Sequence, residues 1–433
     1  MLKLSTRRKA LVGAAATALM SLSLAACGGG DSGSSNDKSV TIWTSMDQPV
    51  VDGLEKTLAE KAKAEGITVK WQRVTDINTL IMTKLNSSDK PDIAVIPQPG
   101  VVANIVKRGA AIPLDDVLDM NTVNSSMLPG VVDAGTVDGK YYGLQINASV
   151  KSLVFYPKKA WEQAGYPIPK TIDELNSLTD KIKADGNTPW CMGIESDTAT
   201  GWPATDWFED LIARYGGPDV YNQWVTHEIP FTSDVVKQAG AEFDKLMFTD
   251  GNVLGGREAI ASTNFGTAGN PMFDSKPGCW MYKQGTFITG FFPKSVQSDL
   301  DNQVGVFPFP PAQTGGENPV VGGGDLATIL SDDDATKSVM KMLSESDIGT
   351  EAAKSGAYIS PHKDFDPSGY PNEIMKTAAK AATGATTFLF DGSDQMPGEV
   401  GAGTFWKEIT AWITGQEDLD TALQNIDDSW PSS

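Results

Sequence analysis

The chain has 433 residues, with 35 Lys and Arg against 55 Asp and Glu, a formal net charge of −20 at pH 7, three cysteines and two histidines. Such an excess of carboxylates repels nucleic acid and anionic lipid, and favours a neutral or cationic small molecule as the ligand. The length exceeds one ordinary hydrophobic core and suits two lobes.

The N-terminal segment has the three parts of a secretory signal: Arg7, Arg8 and Lys9, an alanine-rich apolar run over residues 11–24, and two small residues before Cys27. The run is too short for a comfortable membrane span of about 20 residues. Leu24-Ala25-Ala26-Cys27 resembles a bacterial lipoprotein lipobox, which implies removal of residues 1–26 and a lipid on Cys27. An ordinary secretory signal with an incidental Cys27 is the alternative. Residues 27–38, rich in Gly, Ser and Asp, read as a flexible tether that holds a globular body just off a membrane. The removed segment carries four basic residues and no acid, so the mature chain has a charge of −24.

The next hundred residues alternate between periods. Residues 40–43 read as a strand. Pro49 opens a helix with Val50, Leu54, Leu58 and Ala62 on one face. A strand over 67–74, a short helix over 80–86, an almost wholly apolar strand over 92–96 and a helix over 101–107 complete a βαβαβ order. That order predicts an open parallel sheet whose ligand-facing loops are 44–49 and 97–100. Further on, Asp138-Gly139 marks the turn of a hairpin over 137–144. Residues 149–156 form one extended run, and helices follow over 158–164, 172–184 and 207–215, the second with Thr171 and Glu174 as a capping box. Gly322-Gly323-Gly324 interrupts a strand-like region and suits a crossover between lobes. Residues 405–414 form a terminal helix with Trp406, Ile409 and Ile413 on one side, which favours a core role for Trp406.

With Cys27 taken by lipid, Cys191 and Cys279 remain. In an exported chain one disulfide is the simplest reading and two free thiols the other. The bridge would close an 88-residue loop, a constraint of ~4–5 kcal/mol by loop entropy. His227 and His362 have no His or Cys at ligand spacing, which argues against a metal site. There is no G-x-S-x-G, no P-loop and no dinucleotide fingerprint, so neither a catalytic centre nor a cofactor is expected. Paired carboxylates for glycoside cleavage are easy to imagine among 55 acids and carry no specificity.

Several stretches together resemble the extracellular solute-binding proteins of ABC importers. Val40-Thr41-Ile42-Trp43 with Asp47-Gln48 is similar to the opening of the maltose and oligosaccharide binders. The hairpin Asp138-Gly139-Lys140-Tyr141-Tyr142-Gly143-Leu144 resembles their DGKxYGxP hairpin, with Gln145 where proline is usual. Met396-Pro397 through Phe405-Trp406 resembles their late MP…FW segment. The α-glucoside-binding branch is resembled more narrowly by Trp190-Cys191-Met192-Gly193, by residues 201–207 with Cys279 downstream, by residues 322–325 and by Gln395-Met396-Pro397. The resemblance implies an α/β, periplasmic-binding-protein-like fold with two lobes, a hinge and a ligand cleft between them. The lobes would comprise residues 39–147 with 325–361, and residues 148–324 with 362–433. Three chain crossings are expected, near Asn147, Gly324 and His362.

Sugars present pairs of hydroxyls above apolar C–H faces, and so call for carboxylates, amides and flat aromatic rings. Asp47 and Gln98 follow strands of the parallel sheet, where a helix cap and a solvated turn are their plainer roles. Asn147 and Asp325 lie at expected crossovers, with turn roles as the alternative. Trp202 sits in a Gly-Trp-Pro loop that is a poor place to bury an indole, and Asp206 either caps the next helix or meets ligand. By resemblance Gln284 supplies a polar contact and Phe287 an aromatic platform, and Gln395 lies in the late ligand segment. Trp71, Trp161 and Trp430 are read as structural.

These readings converge on a monomeric, lipid-anchored receptor on the outer face of the cytoplasmic membrane. It would capture an α-glucoside di- or oligosaccharide by hinge closure and deliver it to the transmembrane subunits of an ABC permease. A surface-anchored polysaccharide-active enzyme and a structural or adhesive lipoprotein are the alternatives. The latter predicts repeats or Thr-rich stalks, which the sequence lacks.

Overall fold

The computed structural model describes residues 38–431. The leader, Cys27 and the tether up to residue 37 lie outside the described residues; Lys38, expected in the tether, already belongs to the first strand.

Strand β1 (Lys38–Thr44) is followed by helix α1 (Gln48–Ala64), β2 (Ile67–Arg73), α2 (Ile77–Lys84), β3 (Ile93–Ile96) and α3 (Pro99–Lys107). β1 pairs in parallel with both β2 and β3. This is the expected open sheet, with α2 starting three residues earlier than its apolar pattern suggested. Asp76 explains the shift, because its side chain accepts from the Thr79 amide and caps the helix there. β3 is buried throughout, as a strand covered on both faces should be.

The hairpin forms from β4 (Thr136–Val137) and β5 (Lys140–Tyr141), with Asp138 and Gly139 both at positive φ, 49° and 75°. The single extended run expected next is two strands, β6 (Leu144–Val150) and β7 (Leu153–Pro157). They part at Lys151-Ser152 because they enter different sheets. β7 lies between β8 (Tyr282–Gln284) and β9 (Val304–Pro308), antiparallel to both. β6 instead pairs antiparallel with β10 (Val320–Ile329).

β10 joins the parts of the larger sheet. Its second half runs antiparallel to β3, and its first half runs parallel to β11 (Phe388–Phe390). The glycine triplet therefore does not interrupt the strand. It lets β6 and β10 approach, since a Cβ on Gly322 or Gly324 would overlap the carbonyl of Ser149 or Asn147. The β6–β10 register shifts between Asp325 and Leu326.

The helices over 158–164 and 172–184 form as expected. The capping box is offset by one residue: Thr171 accepts from the Glu174 amide, while Glu174 accepts from Lys170 rather than from Thr171. The next helix, Trp202–Val225, starts five residues before its expected beginning and kinks at Gly217 (φ 80°). Trp202 and Asp206 are accordingly helical, not loop and cap. The sulfurs of Cys191 and Cys279 are bonded at 2.04 Å, so the disulfide reading holds over the free-thiol one. Beside them Trp190, Trp207, Phe243 and Phe309 pack edge to face and fill the interior under the smaller sheet.

Candidate functional site

Two groups of the expected residues come together, in different places. The first lies where β6 meets β10. Asn147 and Asp325 are opposite one another in the register, and Asn147 Nδ2 donates to Asp325 Oδ2 at 2.8 Å. Burial, with the nearby charge of Asp47 as a lesser cause, pushes the Asp325 carboxyl up to about 6. Asp47 is exposed before α1 and its side chain makes no cap bond, so the helix-cap role is not taken up.

The second group surrounds a cavity of about 260 Å³ bounded by Lys151, Trp202, Phe287, Asp391, Asp394 and Trp406. Trp202, on the first turn of its helix, packs edge-on against Phe287 (5.8 Å between ring centroids) and Phe265 (5.0 Å). Lys151 Nζ lies 5.5 Å from the indole centroid. The same ammonium donates to Asp206 Oδ1 at 3.2 Å and to Asp391.

The electrostatics follow from Lys151 among four acids, with Lys283 also attracting Asp206. Burial opposes the charge on Lys151, but Asp206, Asp391, Asp394 and Glu209 outweigh it and hold the ammonium protonated. Burial pushes Asp206 and Asp394 up to about 7, each with repulsion from Asp391 added and attraction to Lys151 against it. Burial also works on Asp391, yet its contact with Lys151 keeps its carboxyl below the ordinary range. The cavity therefore offers one fixed donor, Lys151, one fixed acceptor, Asp391, and in Asp394 a carboxyl that acts either way near neutrality, while Asp206 is buried beside Lys151 and does not border it. Apolar ring faces lie beside them, the mixture a polyhydroxylated ligand needs.

Glu209, with Asp206 and Asp391, places carboxylate oxygens within 4.8 Å of one another. Two of these three acids already hold Lys151, which supplies the positive charge a cation would. Glu209 is committed to the backbone, accepting from the amides of Gly392 and Ser393 at 3.0 and 3.2 Å. It thereby fixes the turn that carries Asp391 and Asp394.

The remaining expected residues sit beside these groups. Gln98 bridges Asn78 and Asp394, accepting at 2.8 Å and donating at 2.9 Å. Gln284 is buried at the end of β8 and accepts from the next amide, that of Gly285. Gln395 donates to the carbonyl of Phe390 at 2.8 Å. Trp406 departs from its expected core role: Ile409 and Ile413 are buried, but Trp406 is half-buried, bounds the cavity, and its Nε1–H has no acceptor among the described residues.

Lys151, Asp391 and Asp394 were missed. A lysine inside the apolar run Val150–Tyr156 was the available signal, because such a residue is buried only with a partner. The short strand Phe388–Phe390 running into Asp391-Gly392-Ser393-Asp394 was the other.

Comparison with known proteins agrees with this architecture. Residues 48–345 match the family of bacterial extracellular solute-binding proteins. The chain is 36% identical over 409 residues to the osmoprotective compounds-binding protein GgtB of Synechocystis sp., covering 94% of this chain and 96% of that one. It is also 36% identical over 404 residues to the alpha-glucosides-binding periplasmic protein AglE of Rhizobium meliloti, covering 90% and 86%. Among solved structures, the bacterial solute receptor AcbH superposes with a TM-score of 0.76 at 16% identity, covering 90% of this chain and 98% of that one. RafE from Streptococcus pneumoniae superposes with a TM-score of 0.71, also at 16% identity, covering 92% and 99%. The two-lobed binding-protein fold and the extent of the match exclude the enzyme alternative: the chain belongs to the bacterial extracellular solute-binding protein family.

Proposed function

We propose that this protein is the lipid-anchored sugar receptor of an ABC importer, taking α-glucoside di- or oligosaccharides into the cleft and passing them to permease subunits. The observation that carries the sugar is the cavity in which Trp202 and Phe287 lie beside Lys151, Asp391 and Asp394. Rings serve the C–H faces of a pyranose, and the charged groups serve its hydroxyls. The likeness to AglE, whose name specifies α-glucosides, supports that choice of sugar. Trp202, Phe287 and Asp206 belong to the smaller-sheet lobe, and Asp47, Gln98, Asn147 and Asp325 to the larger-sheet lobe or its junction. In this reading Gln284 and Gln395 support the backbone around the site. Ligand that touches both lobes favours the closed form by its differential affinity.

The test is a thermal-shift and calorimetric screen of residues 38–433 against α-glucosides, β-glucosides and galactosides. A ligand at 100 times its dissociation constant should add ~2.7 kcal/mol of stability. No shift with any α-glucoside would reject the sugar. A second reading has equal support in identity: GgtB is named for osmoprotective compounds, so the screen includes small osmoprotective solutes. A response confined to them would replace the α-glucoside reading.

A further inference from the structure

A second hollow adjoins the site. It is a groove of about 660 Å³ along α3, with Gln98, Asn104 and Lys107 on one side and Ser393, Asp394 and Trp430 on the other. Ser393 and Asp394 bound the smaller cavity as well. The two spaces are therefore separated by one turn of chain and by whatever bridges it. Across that turn Gln98 Nε2 donates to Asp394 Oδ1 at 2.9 Å. Asn78 Nδ2 braces Gln98 from behind by donating to its Oε1 at 2.8 Å. The start of α3 closes the gap below, where a Cβ on Gly100 would lie 3.4 Å from the Asp394 carbonyl oxygen.

The groove is not a bare surface furrow. The Trp430 indole is half-buried and stacked on His227, ring centroids 4.3 Å apart and planes 15° from parallel. His227 in turn contacts Asp427 Oδ1 at 3.0 Å. A fixed ring, an amide and an ammonium thus line one groove, and rings and an ammonium line the cavity too.

We infer that the Gln98–Asp394 hydrogen bond is a partition that limits the length of saccharide the receptor accepts, and that the groove lined by Trp430 is the space for further sugar units once the partition opens. This rests on the sugar reading of the cavity. Gln98 is then a specificity-determining residue, and Asn78 a positioning residue that acts through it.

The readout is the ratio of affinities for a long and a short α-glucoside, maltotetraose against maltose, measured by calorimetry on residues 38–433. Gln98→Ala should move that ratio toward the tetrasaccharide by about fivefold or more, the scale of gaining one aromatic platform. Asn78→Ala should move it in the same direction by less, and serves if Gln98→Ala does not fold. Adding Trp430→Ala to Gln98→Ala should cancel the gain. An unchanged ratio in both single variants, with maltose still bound, overturns the partition and leaves the sugar reading standing. A gain that survives Trp430→Ala overturns the groove as its cause. If the unsubstituted protein binds no α-glucoside of either length, the sugar reading fails and the partition with it.

Discussion

Asn147 Nδ2 donates to Asp325 Oδ2 at 2.8 Å while Asn147 Oδ1 accepts the Ile359 amide at 3.4 Å. One buried side chain thus ties β6, β10 and the segment around Ile359, which also pairs with Ala148. These lie at or near the places where the chain was expected to cross between lobes.

Asn147→Ala strands the Asp325 carboxyl and an amide in the interior. It should cost about 1–3 kcal/mol, read as a lowered denaturation midpoint in urea. A variant as stable as the parent would show that water replaces the side chain without loss.

Trp202→Ala and Phe287→Ala each remove a wall of the cavity. Each should weaken sugar binding by at least ~1 kcal/mol, with calorimetry as the check. Trp202 also packs on Phe265 and Phe287, so a modest drop in ligand-free melting temperature should accompany its loss. Full affinity in both variants would place the ligand elsewhere.

Asp206, Asp394 and Asp325 are among the raised carboxyls that set the pH dependence, and Glu209, raised by burial, acts in the same direction. Asp206 and Asp394 titrate at about 7 and Asp325 at about 6 when folded, all raised chiefly by burial. An unfolded Asp titrates near ~3.9, so between these values the folded chain binds more protons than the unfolded one and its stability falls as pH rises. Asp391 and Asp210 oppose this at the acid end. Burial alone would raise both, but Lys151 and the Lys283–Arg214 pair hold them low. Their contribution is lost as pH falls below about 4. Ligand-free melting temperature should therefore climb from pH 8 to about 5 and decline below about 4. Asp325→Asn should flatten part of the climb. Calorimetric scans across that range decide it, and a curve rising from pH 5 to 8 would contradict the assignment.

Cys27→Ala should release the protein from membranes while leaving its sugar affinity intact. Fractionation of the native host reads the first and calorimetry the second. Mass spectrometry that finds Cys27 unmodified in the native host would remove the anchor.

Much of the fold was legible because it is local. The period of Val50, Leu54, Leu58 and Ala62 specifies α1, and Asp138-Gly139 specifies its turn without reference to anything distant. What was illegible depends on pairing. Whether residues 149–156 are one strand or two depends on β6 finding β10 while β7 finds β8 and β9, all far along the chain. The triple glycine looked like a break because a lone strand does not want it; a strand against which Asn147 and Ser149 must lie close does. Trp406 shares a helical stripe with Ile409 and Ile413, and periodicity cannot tell a core face from a cavity wall.

The bridge between Cys191 and Cys279 leaves the two residues 1% and 0% exposed. A thiolate must reach a sulfur to break it, so a reductant added to the folded protein waits for the surrounding structure to breathe. The speed at which thiols emerge, followed as reductant is increased, then reports how often that interior opens. At low reductant it tracks the open population, and at saturation it becomes the opening rate itself. The protein thus carries its own clock for internal motion, and ligand that tightens the lobe holding Trp202 should slow it.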